Sequence, residues 1–270
     1  MSEKILGVVE DTLFVPMLGR IYASENCPEI LYDKKALELK NRLPESVIRN
    51  DKQTQYTYLA SASRSANMDR YIADFLRRKP DGVVVQLGCG LETTFYRDDN
   101  GHTQWYAVDL PEVIEYRMRL LLETEREKYI ADDAFKTGWI EQIRSAHPNQ
   151  PLLVTASGLF YYFTEEKVLS LISMLQNYGD IELLFDTVNK SGMTMMQKKH
   201  MKTVGHEDAE MYFYVNSASE LVEKAGSSMK VLREEPFYRH ISKKGLKLST
   251  KVSMVVSDWL AMVKMIHLGL

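Results

Sequence analysis

The chain has 270 residues, 45% of them apolar and 26% charged, ordinary globular proportions that exclude a disordered chain or a fibrous repeat. Lys and Arg total 34 against 37 Asp and Glu, a formal charge of -3, so there is no broad basic surface for a nucleic-acid backbone. Cys27 and Cys89 lie far apart and form no CxxC pair, which speaks against a disulfide framework or a structural zinc site and suits a reducing cytoplasm.

The opening segment, MSEKILGVVEDTLFVPMLGR, lacks the pattern of a cleaved export signal. Even the apolar C-terminal region is broken by Asp258, Lys264 and His267, so neither export nor a membrane-spanning segment is expected. Residues 32–48 and 52–79 repeat apolar side chains three and four apart, as at Tyr58, Ala62, Ala66, Ile72 and Phe75, and are predicted to be two helices. Pro80-Asp81-Gly82 ends that pattern, and Val83-Val84-Val85-Gln86-Leu87 reads as a short strand buried on both faces.

From there strands and helices alternate: strands at 83–88, 104–109, 128–132, 151–156 and 180–186, helices at 111–123, 136–146 and 164–177. This order predicts an α/β fold whose parallel strands are joined by right-handed crossovers. Residues 187–216, with Met193, Met195, Met196, Met201 and Met211 before Tyr212-Phe213-Tyr214, are predicted to form a helical insertion over the sheet. A helix at 217–226, a strand near 229–236, an amphipathic helix near 249–262 and a strand at 264–269 complete the chain. The expected organisation is one domain over 1–270, with an N-terminal helical cap over 1–80 and a Rossmann-like core over 81–270 that carries the insertion.

The segment Gln86-Leu87-Gly88-Cys89-Gly90-Leu91-Glu92-Thr93 sets two glycines at the end of the first core strand, where the backbone turns sharply and a ligand can lie against it. Asp109 closes the next strand about 20 residues later, where a carboxylate can accept from both hydroxyls of an adenosine ribose. A dinucleotide fits less well. Its fingerprint needs a third glycine where Thr93 stands, and Glu92 is expected to repel a pyrophosphate. S-adenosylmethionine has no phosphate, and Arg64, among the small residues of Ala62-Ser63-Arg64-Ser65-Ala66, is a candidate partner for its carboxylate.

Several blocks in order, namely ILYDKKAL, RSANMDRYIADFL, VVQLGCGLETTFYR, WYAVDLPEVIEYR, YIADDAFKTGW, ASGLFYYF, LLFDTVNKSG and KMIHLGL, make the chain resemble the leucine carboxyl methyltransferases and bacterial polyketide O-methyltransferases. The resemblance implies a class I methyltransferase fold: a seven-stranded, mostly parallel sheet with an antiparallel last strand and extra N-terminal helices. It implies that Arg64 holds the cofactor carboxylate, that Gly88, Cys89 and Gly90 lie under the methionine part, that Asp109 with Leu110 holds the ribose, and that Asp132, Asp133 and Ala134 flank the adenine. The family usually has Glu where this chain has Ser157, close to the cofactor.

Transfer of a methyl group from a sulfonium to oxygen is chiefly a matter of placement, and no metal is required. A carboxylate acceptor is already ionised at neutral pH, whereas a phenol would profit from a base. The residues available for such a role are Tyr161, Tyr162 and His206 with its neighbour Glu207. The expected function is methylation of a carboxylate or phenolic hydroxyl on a small, polyketide-like molecule, with no nucleic-acid or membrane partner. The alternatives are a protein C-terminal carboxyl methyltransferase and an S-adenosylmethionine-binding protein without catalysis.

Overall fold

The computed structural model describes residues 7–49, 53–203, 211–225 and 229–270. Seven strands, β1 (Val83–Leu87), β2 (Trp105–Asp109), β3 (Glu127–Ala131), β4 (Leu152–Ala156), β5 (Ile181–Val188), β6 (Lys230–Pro236) and β7 (Val263–Gly269), form a sheet in the order β3-β2-β1-β4-β5-β7-β6. The first five are parallel, and β7 runs antiparallel between β5 and β6. The expected seven-stranded sheet is therefore present. Every residue of β1, β4 and β5 is buried, as continuous apolar strands covered on both faces should be. Strand order reverses between β1 and β4, and such a switch point opens a crevice at the carboxyl ends of the strands.

Helices cover both faces. On one side α7 (Gly138–Ala146), α8 (Glu165–Leu175) and α10 (Ala218–Ala225) bury Trp139, Ile140, Ile143, Leu171 and Ile172 against the sheet. On the other, α1 (Gly7–Asn26), α4 (Gln55–Arg78) and α11 (Leu248–Trp259) join Leu59, Phe75 and Met254 to Val84, Leu153 and Leu184. The remaining helices are α2 (Lys34–Leu39), α3 (Glu45–Arg49), α5 (Thr94–Asp98), α6 (Pro111–Leu120) and α9 (Lys190–Thr203).

Several expectations are corrected. The single helix at 32–48 is two short helices, α2 and α3, separated by a 3-10 turn at Lys40–Arg42 and an extended Leu43 at ψ 150°. Pro44 explains the break, because the residue before a proline is driven out of the helical region. Helix α6 stops at Leu120, short of the expected 123, and the short α5 was not anticipated. Helix α4 begins where Thr54 caps it, its hydroxyl accepting from the Thr57 N–H at 3.2 Å, so the expected start at 52 falls outside the described residues.

The periodicity reading left α1 unassigned. Leu13, Phe14, Met17 and Ile21 are buried along one face, but Val15, Leu18 and Tyr22 add apolar residues on the opposite, half-buried side, so the sequence shows no stripe, and Pro16 sits inside the helix. It packs along α4 at a close crossing: a Cβ on Gly19 would come within 2.7 Å of both the Tyr58 carbonyl and the Ser61 Cβ.

Candidate active site

The crevice holds a cavity of about 820 Å³ bordered by α1, α4, the loop after β1, the end of β2 and the segment after β4. Strand β1 runs into Gly88 at φ 61° and Gly90 at φ 47°, a left-handed path that glycine takes without strain. A Cβ on Gly88 would also come 2.7 Å from Leu159. Between them Cys89 is buried against Ala107 and Ile114, and burial pushes its thiol up, leaving it unreactive.

Asp109, at the tip of β2, fastens this loop. Its two carboxylate oxygens accept from the N–H groups of Gly90 and Leu110, each at 2.8 Å. Burial raises its carboxyl while these two donors pull it down. Both Asp109 and Leu110 line the cavity.

Beneath the loop lies a buried ionic cluster. The Glu92 carboxylate accepts from Arg20 Nη1, Ser65 Oγ and Arg97 Nη2, each at 3.0 Å, and from the Thr93 N–H at 2.8 Å. Burial alone would raise its carboxyl, yet Arg20 and Arg97 hold it well below the usual range. Arg117 donates to the carbonyls of Gly90 and Glu92 and to Glu127, and Arg20 donates to that of Leu91. These bonds amend one argument: the charge of Glu92 is compensated, so it is not the free repellent expected for a pyrophosphate. The missing third glycine still stands, because Thr93 is buried and its hydroxyl donates to Asp33.

Arg64 enters from α4 and lines the cavity. Its Nε donates to Asp186 Oδ2 at 2.7 Å, and although burial works against its charge, Asp186 keeps it firmly protonated. Asp186 is fully buried on β5. It also accepts from the Gly158 N–H and from the Tyr161 hydroxyl, both at 2.7 Å. Gly158, at φ 67°, leaves room for the guanidinium, since a Cβ there would lie 3.1 Å from Arg64 Nη1. Ser157 precedes it on the cavity wall.

The expected residues do not all converge. Arg64, Gly88, Cys89, Gly90, Asp109, Leu110 and Ser157 border the cavity. Asp132, Asp133 and Ala134 do not line it; they organise the start of α7. There Asp132 accepts from the Trp139 N–H at 3.0 Å, Asp133 from the Phe135 N–H at 2.9 Å, and the Ala134 carbonyl from the Trp139 indole at 3.1 Å. Tyr161 is buried and donates to Asp186; burial and that carboxylate together push its phenol well above the ordinary range, which makes it a donor and not a base. Tyr162 lines the cavity beside Met196 of α9, Met211 and Tyr212. His206 and Glu207 lie outside the described residues.

Two participants were missed. Asp186 lies within the block LLFDTVNKSG, where a carboxylate following the apolar run Leu183-Leu184-Phe185 was the available signal. Arg20, 1% exposed, had no local signal, because its partners at 91 and 92 are remote in sequence. Among the described residues no cluster of His, Cys, Asp or Glu is placed to hold a metal ion, and no helix is long and apolar enough to cross a membrane.

A family model described as leucine carboxyl methyltransferase matches residues 11–176. The tetracenomycin polyketide synthesis O-methyltransferase TcmP of Streptomyces glaucescens is 32% identical over 167 residues, covering 61% of this chain and 60% of that protein. The S-adenosyl-L-methionine-dependent methyltransferase dpfgK of Gibberella zeae is 25% identical over 188 residues, 63% of this chain and 61% of that protein. The matches thus span about three-fifths of each relative. Among solved structures, a DUF574 family protein from Streptomyces avermitilis aligns with a TM-score of 0.62 at 12% identity over 93% of this chain and 96% of that one, a likeness of fold.

Proposed function

The chain belongs to the leucine carboxyl methyltransferase family of S-adenosylmethionine-dependent enzymes, and from that premise we propose that it methylates a carboxylate or phenolic hydroxyl on a small, polyketide-like acceptor. One observation carries the reading: the guanidinium of Arg64, the Gly88–Gly90 turn and the carboxylate of Asp109 border a single cavity of about 820 Å³. That set offers a cation for an amino-acid carboxylate, a backbone bare of side chains for close approach, and an acceptor for ribose hydroxyls. The residues therefore fit S-adenosylmethionine, which supplies a methyl group on a cationic sulfur that becomes a neutral thioether.

Arg64 would hold the donor's carboxylate, Gly88, Cys89 and Gly90 would lie under its methionine part, and Asp109 with Leu110 would hold its ribose. Ser157 would stand close by, and Asp132, Asp133 and Ala134 would support the adenine end through the start of α7. Tyr162, Met196, Met211 and Tyr212 form an adaptable apolar wall suited to a flat acceptor. With Tyr161 held as a donor, a carboxylate acceptor, ionised at neutral pH, would react without a base among these residues. In this reading residues 1–270 act as one catalytic domain in the cytoplasm, where the buried, free Cys27 and Cys89 would stay reduced.

The test is calorimetric titration of S-adenosylhomocysteine, with NAD as control, followed by transfer from labelled S-adenosylmethionine to a panel of aromatic carboxylic acids and phenols. Micromolar binding of the first ligand alone, and label in one acceptor class, are expected. A wild type that binds no S-adenosylhomocysteine overturns the proposal.

A further inference from the structure

The outer face of α11 is the reverse of what a surface helix normally presents. Thr250, Met254 and Ser257 are its buried residues. Leu248, Val252, Val255, Val256, Trp259 and Leu260 stand in solvent, Trp259 at 82% and Leu248 at 77% exposure. Ser249 and Ser253 share that face, and no charged residue interrupts it. Helices on a protein surface ordinarily turn charged and polar side chains outward, and a contiguous apolar stripe rimmed by polar residues marks a contact surface. Together the six apolar side chains expose on the order of 600 Å². That is the upper end of what a monomer leaves bare, and it approaches the about 800 Å² each partner covers in a standard interface.

The stripe is also symmetric. Leu248, Val252, Val256 and Leu260 are spaced four apart and form one ridge, with leucine at both ends and valine inside. Ser249 and Ser253, one position further along, form a shallow groove beside it. A ridge and groove of this kind suit the packing class in which fourth-residue ridges interdigitate, with axes crossing near -50°. Turned about a two-fold axis that passes between ridge and groove at mid-helix, a second copy lays its ridge in this groove and receives this ridge in its own. Self-complementarity under a two-fold axis is what an isologous interface requires.

We infer that the chain forms a homodimer through α11, with the Leu248–Val252–Val256–Leu260 ridge of each copy seated in the Ser249–Ser253 groove of the other. Val255 and Trp259 flank the ridge on its far side, and an aromatic of that size is a typical anchor. A lipid surface is a poorer occupant. A helix lying among headgroups carries several basic residues along its polar face, whereas α11 carries one, Lys251, offset by Asp258, and Lys243, Lys244 and Lys247 lie before its start.

Sedimentation velocity on the full chain across the micromolar range tests this, alongside Val256→Asp and Leu248→Asp. Twice the chain mass is expected for the wild type. Each variant should raise the dissociation constant by about a hundredfold or more, because symmetry buries the new charge twice. Trp105 and Trp139 are fully buried, so emission from Trp259 should shift to the blue as the wild type associates and to the red on dilution. That readout stands even if a variant fails to fold. The inference is overturned by a wild type that stays monomeric throughout, by a Val256→Asp dimer as tight as the wild type, or by a monomeric wild type that floats with phosphatidylserine vesicles.

Discussion

The Nε of Arg64 donates to Asp186 Oδ2 at 2.7 Å across 122 residues of sequence, and this pair orders one wall of the cavity. The same carboxylate takes the Gly158 N–H and the Tyr161 hydroxyl, so one buried anion fixes an arginine, a left-handed glycine and a tyrosine. Arg64→Ala should weaken S-adenosylhomocysteine binding by about 10- to 100-fold, the range of a charge-assisted hydrogen bond, and should also lower stability, because it leaves the fully buried Asp186 without its cation. Asp186→Ala should lower stability by about 3 kcal/mol or more, since it strands the guanidinium and frees both Gly158 and Tyr161. The double variant, with neither charge left over, should be more stable than Asp186→Ala, as read by urea unfolding.

The turn after β1 makes a second prediction. At Gly88, φ 61°, an alanine would take up a left-handed conformation and crowd Leu159. Gly88→Ala should cost about 1–3 kcal/mol in urea unfolding, and it should weaken S-adenosylhomocysteine further by intruding on the cavity. Unchanged stability would show that the turn relaxes freely.

Glu92 makes the fold sensitive to acid. Its carboxyl is held well below the usual range in the folded chain by Arg20 and Arg97. Its stabilising contribution is therefore present above the ordinary carboxylate pKa of about 4.3 and is lost as pH falls from there toward the folded value. Glu92→Gln should be less stable than the wild type at pH 7, and the gap should narrow as pH drops below about 4. The urea midpoint followed against pH checks both parts.

Asp98 points the other way. Burial, with the neighbouring charge of Asp69, pushes its carboxyl up to about 8. The folded chain thus keeps a proton that the unfolded chain releases near the ordinary value, and this site's contribution to stability declines as pH rises from about 4 and levels off above the folded pKa. Asp98→Asn imitates the protonated form without titrating. It should be more stable than the wild type at neutral pH and nearly equal to it near pH 4, as read by thermal unfolding in matched buffers.

Local pattern made much of this legible. The glycines at 88 and 90, Asp109 at the end of the next strand and the alternation of strands and helices are short-range signals, and each stands in the structure within a few residues of its expected place. The end of the first expected helix was misplaced because Pro44 was not weighed as a breaker. Helix α1 carries apolar residues all round and so shows no stripe to detect. A carboxylate inside a buried strand, as Asp186 is, becomes meaningful only when the partner facing it is known.

By itself, then, the sequence determined the order of elements, the chemistry of the loop after β1 and the family, all of which depend on spacing along the chain. Tertiary structure alone decided what meets across it. Arg64 and Asp186 are drawn together by the packing of α4 over β5, and Glu92 is neutralised by arginines from α1 and α5. The clearest case is α11. Periodicity marks it as an amphipathic helix in either setting, but only its contacts with the rest of the fold turn Thr250, Met254 and Ser257 inward and leave Leu248, Val252, Val256 and Leu260 facing out. A pattern of period 3.6 sorts side chains onto faces, and it cannot say which face the core will take.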